Sequence, residues 1–323
     1  MKKKLIFILI MIMIGGFMME LLSPVGDFDC LKAAVQNGAD AVYFGANSFS
    51  ARAFASNFDD DTLAKAIDYA KIRGVKTNLT LNTLIKNDEM YNAIALAKKA
   101  YEYGIDAIIV QDLGLARYMI KNFPGLAIHA STQMSVHNLE GVLTLQNMGF
   151  SRVVLSRELS IQEIEHICKN SNVEIEAFVH GALCISYSGQ CLFSSMVGGR
   201  SGNRGKCAQP CRLPYELLEN DTTIDKGYLL SPRDLCGLEY LPQLVNAGVT
   251  CLKIEGRMKT PEYVATVTRI YRKYLDLALS GNKYVVDEAD KLDLQQVFNR
   301  GGFSSGHLLS EPNRKLIFKD KPN

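Results

Sequence analysis

A phrase that returns three times constrains this chain more than anything else in it. NGADAVYFG (37–45), YGIDAIIVQ (103–111) and AGVTCLKIE (247–255) each join a helix-ending glycine, a short turn and a β-rich run. Around them, β-rich segments at 20–24, 41–45, 76–82, 107–111, 127–131, 152–156, 174–181 and 251–256 alternate with amphipathic stretches such as DDTLAKAIDYAKIRG (60–74). In those stretches apolar residues fall three and four apart, the helical spacing, and a glycine closes the run. Strands joined by helical crossovers lie parallel, and eight of them close naturally into an α/β fold of the (β/α)8 TIM-barrel type. With 323 residues and 47% hydrophobic content the chain has enough apolar material for that core.

One crossover is abnormal. About seventy residues separate 174–181 from 251–256, against fifteen to thirty elsewhere. The surplus holds a predicted hairpin, PYELLENDTTIDKGYLLSP (214–232), turning at Asn220–Asp221, and a Cys-rich insertion over about 184–236. An insertion after the seventh barrel strand sits at the C-terminal mouth, where barrel active sites are built. The barrel is thus expected over 19–281. Residues 282–323 are turn-rich and read as an extension, the truncated start of a further domain.

The first eighteen residues stand apart. MKKKLIFILIMIMIGGFM has the basic start and apolar run of a signal-like segment, but lacks a small-residue cleavage site. GGFMM (15–19) can be encoded by a purine-rich ribosome-binding sequence running into two start codons. We read residues 1–18 as a mis-annotated leader, with an export signal as the alternative. Without Lys2, Lys3 and Lys4 the formal charge passes from +2 to −1, so nucleic-acid binding would need a local basic patch. On that reading the protein is cytoplasmic and has no membrane partner.

Cys184, Cys191, Cys207 and Cys211 are spaced C-x6-C-x15-C-x3-C. Stable disulfides are uncommon in a cytosolic protein. Structural zinc usually uses a C-x2-C knuckle, which is absent from this segment. An iron–sulfur cluster needs four converging thiolates and tolerates irregular spacing in a wrapping loop. Spacing leaves cluster, zinc and unliganded thiols open. Cys236 is a spare that can replace one of the four, while Cys30, Cys168 and Cys251 read as buried structural thiols.

EAFVHGALCISYSGQCLFSS (176–195) resembles the signature segment of peptidase family U32, the collagenase-like peptidases. GGRSGNRGKCAQPCRLPY, LLSPRDL, KIEGRMKTPEYVATVTRIYR, VQDLGL and HASTQMSVHN carry the same resemblance, which extends over nearly all of 19–323. It implies two activities. One is collagenase-like proteolysis, a hydrolase. The other, which we favour, is the oxygen-independent hydroxylation of a pyrimidine in tRNA or 23S rRNA. For that branch the resemblance implies a 4Fe-4S cluster on Cys184, Cys191, Cys207 and Cys211, with Cys236 as alternative ligand. It also implies prephenate as co-substrate, RNA as partner and, for some relatives, a protein partner subunit.

The residues favour the second activity. No H-E-x-x-H zinc motif occurs, and Gly302–Gly306 fits G-x-S-x-G without a strand-to-helix setting. RSGNRGKCAQPCR brings Arg200, Arg204, Lys206 and Arg212 beside the thiols, a loop suited to RNA phosphates. Arg52, Arg157 and Arg257 follow strands and can bind the carboxylates of an acidic co-substrate. Gln111, His129 and Gln133 are further polar candidates for substrate contact. His180 and Glu255 flank the cysteine segment and are the candidate catalytic residues, His180 for proton transfer.

Overall fold

In the computed structural model, residues 19–52, 55–310 and 316–320 are described, so residues 1–18 lie outside the described part. Twelve strands occur among those residues: β1 (Glu20–Pro24), β2 (Ala41–Gly45), β3 (Lys76–Leu81), β4 (Ala107–Val110), β5 (Ala127–Ala130), β6 (Arg152–Val154), β7 (Glu174–Gly181), β8 (Tyr215–Glu219), β9 (Thr222–Gly227), β10 (Asp234–Cys236), β11 (Cys251–Ile254) and β12 (Phe303–Ser304). Strands β1 to β7 pair in chain order, all parallel, and β11 pairs with both β1 and β7. The eight-stranded parallel barrel is therefore closed, with helices on the crossovers as the alternation predicts.

The repeated phrase has a physical job. Asp40 Oδ2 accepts the backbone N–H of Leu21 in β1 at 2.8 Å, and Asp106 Oδ2 accepts that of Thr77 in β3 at 2.8 Å. In the third copy the position is Thr250, whose hydroxyl donates to Ile175 O in β7 at 2.9 Å. Each copy pins the start of its strand to a neighbour. The preceding glycine allows the sharp exit from the helix: Gly38 and Gly248 have φ of 92° and 93°, in the left-handed region that penalises a Cβ.

Apolar side chains between the sheet and its helices form the main core, while Leu22, Ala41, Tyr43, Ile109 and Cys251 make a smaller buried cluster. Towards the N-terminal end the barrel carries charge. Arg152 on β6 reaches Glu20 on β1 at 2.7 Å, across two intervening strands, and also meets Glu174 at 2.6 Å and Glu176 at 3.4 Å. Lys253 on β11 bonds Glu176 at 2.7 Å, and Lys76 on β3 bonds Glu20 at 3.1 Å. Three carboxylates thus face three cations. Isolated, the buried ones among them, Glu20, Glu176, Arg152 and Lys253, would cost several kcal/mol each; paired, they fix which strands meet.

The long crossover lies over the mouth. Asn220 and Asp221 both take positive φ in a two-residue turn joining β8 to β9, as a tight hairpin requires. Strand β10 then runs antiparallel to the end of β7, and β12 joins β10. Within 282–320, helix Glu288–Val297 docks on helix Pro261–Leu279 through Tyr274 Oη and Asp290 at 2.8 Å. Leu316 O accepts Arg233 N–H at 2.7 Å, so this extension packs against the insertion. No helix among the described residues is long and apolar enough to cross a membrane.

Arg152→Met would leave Glu20, Glu174 and Glu176 with their shared cation gone. We expect unfolding free energy to fall by about 3–5 kcal/mol, read as a lower urea midpoint with unchanged slope. Lys76→Met, at the exposed end of the network, should cost less than about 1 kcal/mol.

Candidate functional site

A pocket of about 330 Å³ opens where β2, β5, β6, β7 and β11 end, roofed by the insertion. The roof is fastened at three places. Gly189 lies so close to Gln133 that a Cβ would stand 2.3 Å from the Gln133 carbonyl oxygen. Ser188 Oγ donates to Glu158 Oε1 at 3.1 Å, and Arg204 pairs with Glu89 while donating to the Leu84 carbonyl. These contacts bring the cysteine segment over the strand ends.

Arg52, Arg157 and Glu255 line the pocket together. Arg52 Nη2 lies 3.1 Å from Glu255 Oε1, and Arg157 Nη1 donates to Ala182 O at 2.8 Å. Burial alone would raise the Glu255 carboxyl; Arg52, Arg157, Arg257 and Lys253 outweigh it and hold it at about 2. Arg257 is not in the lining. It lies beneath, donating to Ser50 Oγ at 2.6 Å and Thr80 Oγ1 at 2.7 Å. Burial and then the Arg52 charge bring it down to about 10, against Tyr43 and Glu255.

Gln133 also lines the pocket, and among the described residues its buried Oε1 has no hydrogen-bond partner, nor has Arg157 Nε. Gln111 sits behind it, donating to Gln133 O at 3.3 Å. His129 is deeper: burial first, then Arg152, Lys253 and Lys76, push its pKa well down, so it belongs with the charged network rather than the lining. His180 is also behind the lining. Its Nδ1 lies 3.1 Å from Tyr271 Oη, and Tyr263, Tyr271 and Phe303 surround the ring. Burial and then the Lys259 charge hold it at about 3, a neutral imidazole at ordinary pH.

Cys184, Cys191, Cys207 and Cys211 all line this pocket. Gln209 N–H donates to Cys207 Sγ at 3.3 Å. Burial raises the Cys211 thiol, Arg212 opposes this, and Cys184, Cys207 and Cys191 add to the rise, so the four sulfurs feel one another. Among the described residues no three His, Cys, Asp or Glu side chains already stand ready to hold a metal ion. The all-sulfur donor set fits an iron–sulfur cluster in kind. Binding would have to draw the thiols together and deprotonate them. Cys236 is elsewhere, outside the lining, with Sγ 3.8 Å from Tyr271 Oη.

Of the basic loop, Arg200 and Lys206 lie exposed, whereas Arg204 and Arg212 are turned inward. Arg212 donates to Ser231 Oγ at 2.9 Å and Leu183 O at 2.7 Å and lines the pocket. Lys259 and Arg300 line it too, and neither was anticipated. Lys259 was within reach, two residues after Arg257 in a loop following a strand. Arg300 was not, because it comes from the extension and is placed by Asp234 at 3.1 Å.

A serine-protease arrangement is weak here. Ser156 Oγ lies 3.4 Å from His137 Nδ1, and Glu158 lies 3.3 Å from His137 Nε2. But Nδ1 also lies 2.7 Å from the Ser135 carbonyl, which takes the proton a base would need to be without. In the glycine-rich loop, Ser304 is in β12, not on a strand-to-helix elbow.

The family model described as Peptidase family U32 matches residues 26–317. The chain is similar to a 23S rRNA 5-hydroxycytidine synthase of Escherichia coli, 42% identical over 81% of this chain and 40% of that protein. It is similar to a tRNA hydroxylation protein of Bacillus subtilis, 38% identical over 80% of this chain and 63% of that one. A collagenase of Porphyromonas gingivalis is 36% identical over 90% and 74% respectively. The match thus spans less than two thirds of the length of these two RNA-modifying relatives.

Glu255→Gln tests the electrostatics of the mouth. Its folded value of about 2 lies below the ordinary 4.5, so ionised Glu255 stabilises the fold above pH 4.5 and the effect is lost as pH falls towards 2. We expect the variant to be less stable by on the order of 2–3 kcal/mol at pH 7. The gap should close between those two pH values in urea titrations. A gap unchanged at pH 3 would rule the charge out as its source.

Proposed function

The chain belongs to peptidase family U32, and from that premise we propose that it hydroxylates a pyrimidine of tRNA or 23S rRNA in the cytoplasm. In this reading Cys184, Cys191, Cys207 and Cys211 hold a 4Fe-4S cluster and prephenate is the co-substrate. The observation that carries it is one pocket that has four thiols together with Arg52, Arg157, Arg212, Lys259 and Arg300 and, among the described residues, a single carboxylate, Glu255.

When bound, such a cluster supplies electrons one at a time at a potential its surroundings tune. The chain's residues bind and orient. Guanidinium groups suit the carboxylates of an acidic co-substrate, and a site with little water strengthens each contact. The unpartnered Gln133 Oε1 and Arg157 Nε are available to fix its orientation. Glu255, held ionised, keeps Arg52 in place. Arg200 and Lys206 on the exposed loop are suited to RNA phosphates, while Arg204 and Arg212 hold the loop's shape. A partner subunit would complement this surface.

The second reading, a collagenase-type peptidase, is favoured by the Porphyromonas gingivalis relative. Two measurements separate them. Protein purified without oxygen should carry about four irons with equal sulfide. Cys184→Ala, Cys207→Ala and Cys211→Ala should each lose them, and Cys236→Ala should not. Nucleoside mass spectrometry of a deletion strain should show a hydroxypyrimidine missing from tRNA or rRNA, restored by the wild-type gene but not by Cys184→Ala. Unchanged nucleosides with lost gelatin cleavage would instead establish the peptidase.

A further inference from the structure

Lys259 has no part in the cluster or in the arginine–glutamate pairing, yet it lines the same pocket. Its backbone is fixed, with N–H donating to Gly256 O at 2.9 Å and C=O accepting from Cys30 Sγ at 3.5 Å. Its ammonium lies over the Phe298 ring, with the Tyr263 ring centroid at 5.8 Å. Among the described residues no carboxylate forms an ion pair with it. The charged and titratable groups around it are Arg300 and Arg212, which oppose its charge, Asp234 and Glu255, which favour it, and neutral His180 behind.

We propose that Lys259 is an amine nucleophile that forms an imine with a small 2-oxo acid whose carboxylate is held by the pocket's guanidinium groups, Arg157 and Arg300. A lysine without a carboxylate partner among the described residues, partly desolvated and set beside other cations, is in the environment in which an amine loses its proton and becomes nucleophilic. Burial first and Arg300 second bring Lys259 down to about 7, so a large neutral fraction exists at ordinary pH. The buried Arg157 Nε, without a partner among the described residues, supplies an unused donor for the acid group. Position agrees with the chemistry, since Lys259 follows β11 at the C-terminal end of the barrel.

The step balances without an oxidant. The neutral amine attacks the carbonyl carbon and a C–N bond forms. Proton transfer gives a carbinolamine, from which the former carbonyl oxygen leaves as water. This inference goes beyond the hydroxylase reading and stands on the pocket alone.

Borohydride trapping tests it on the purified chain, with neither RNA nor cluster required. With pyruvate as probe, one reduced adduct per chain should appear by mass spectrometry on the peptide carrying Lys259. It should be absent from Lys259→Arg. The trapping rate should rise through about pH 7 rather than through the ordinary lysine value near pH 10.4. Acetone, which has the carbonyl without the carboxylate, should be trapped about tenfold or more slowly. Adducts spread over surface lysines at equal rates in wild type and Lys259→Arg would overturn the proposal, as would equal trapping of acetone and pyruvate. Those outcomes would leave the iron and nucleoside results untouched.

Discussion

Arg152 holds the barrel together from the inside. Its guanidinium joins β6 to β1 and β7, and Lys253 extends the same network to β11, the strand that closes the circle. Every strand that ends at the pocket inherits its position from that closure. A network of three carboxylates and three cations is also unforgiving: a register slip would separate a buried charge from its partner. The apolar cores around the barrel contribute more burial, but hydrophobic contact is non-directional and does not select one strand pairing over another as these bonds do.

Above this charged layer the mouth shows the opposite arrangement. The floor balances its charges, whereas among the described residues the pocket gathers five cations around one carboxylate. Such an imbalance is tolerable because Asp234 pairs with Arg300, and backbone carbonyls take up Arg157 and Arg212. It leaves a surface primed for an anion. The insertion then covers it, with Gly189 pressed on Gln133 and Arg204 tied to Glu89, so four thiols descend onto the same space. Substrate electrostatics and sulfur chemistry are thereby confined to one small volume.

Residues that looked equivalent in the sequence were separated by side-chain direction. His180 and Glu255 both flank the cysteine segment, yet Glu255 enters the pocket and His180 turns against Tyr271 beneath helix Pro261–Leu279. Arg52 and Arg257 both follow strands, but one lines the cavity and the other lies under it. The family resemblance leaves Cys211 and Cys236 as alternative ligands, and of the two only Cys211 joins the other three thiols at the pocket. A strand alternates faces every residue, and the loops beyond it follow no such period, so position in the chain cannot say which way a mouth residue points.

The sequence by itself determined the barrel, its eight strands, the hairpin turn at Asn220–Asp221 and the long crossover at the mouth. All of these rest on local patterns: periodicity of apolar residues, turn chemistry and the distance between neighbouring strands along the chain. Tertiary structure alone decided that Glu20 would meet Arg152 from 132 residues away, and that Arg300 from the extension would face Lys259 from the β11 loop. Burial and proximity of charges set the states of Glu255 and Lys259. Those are properties of space enclosed after folding, and no local stretch of residues contains them.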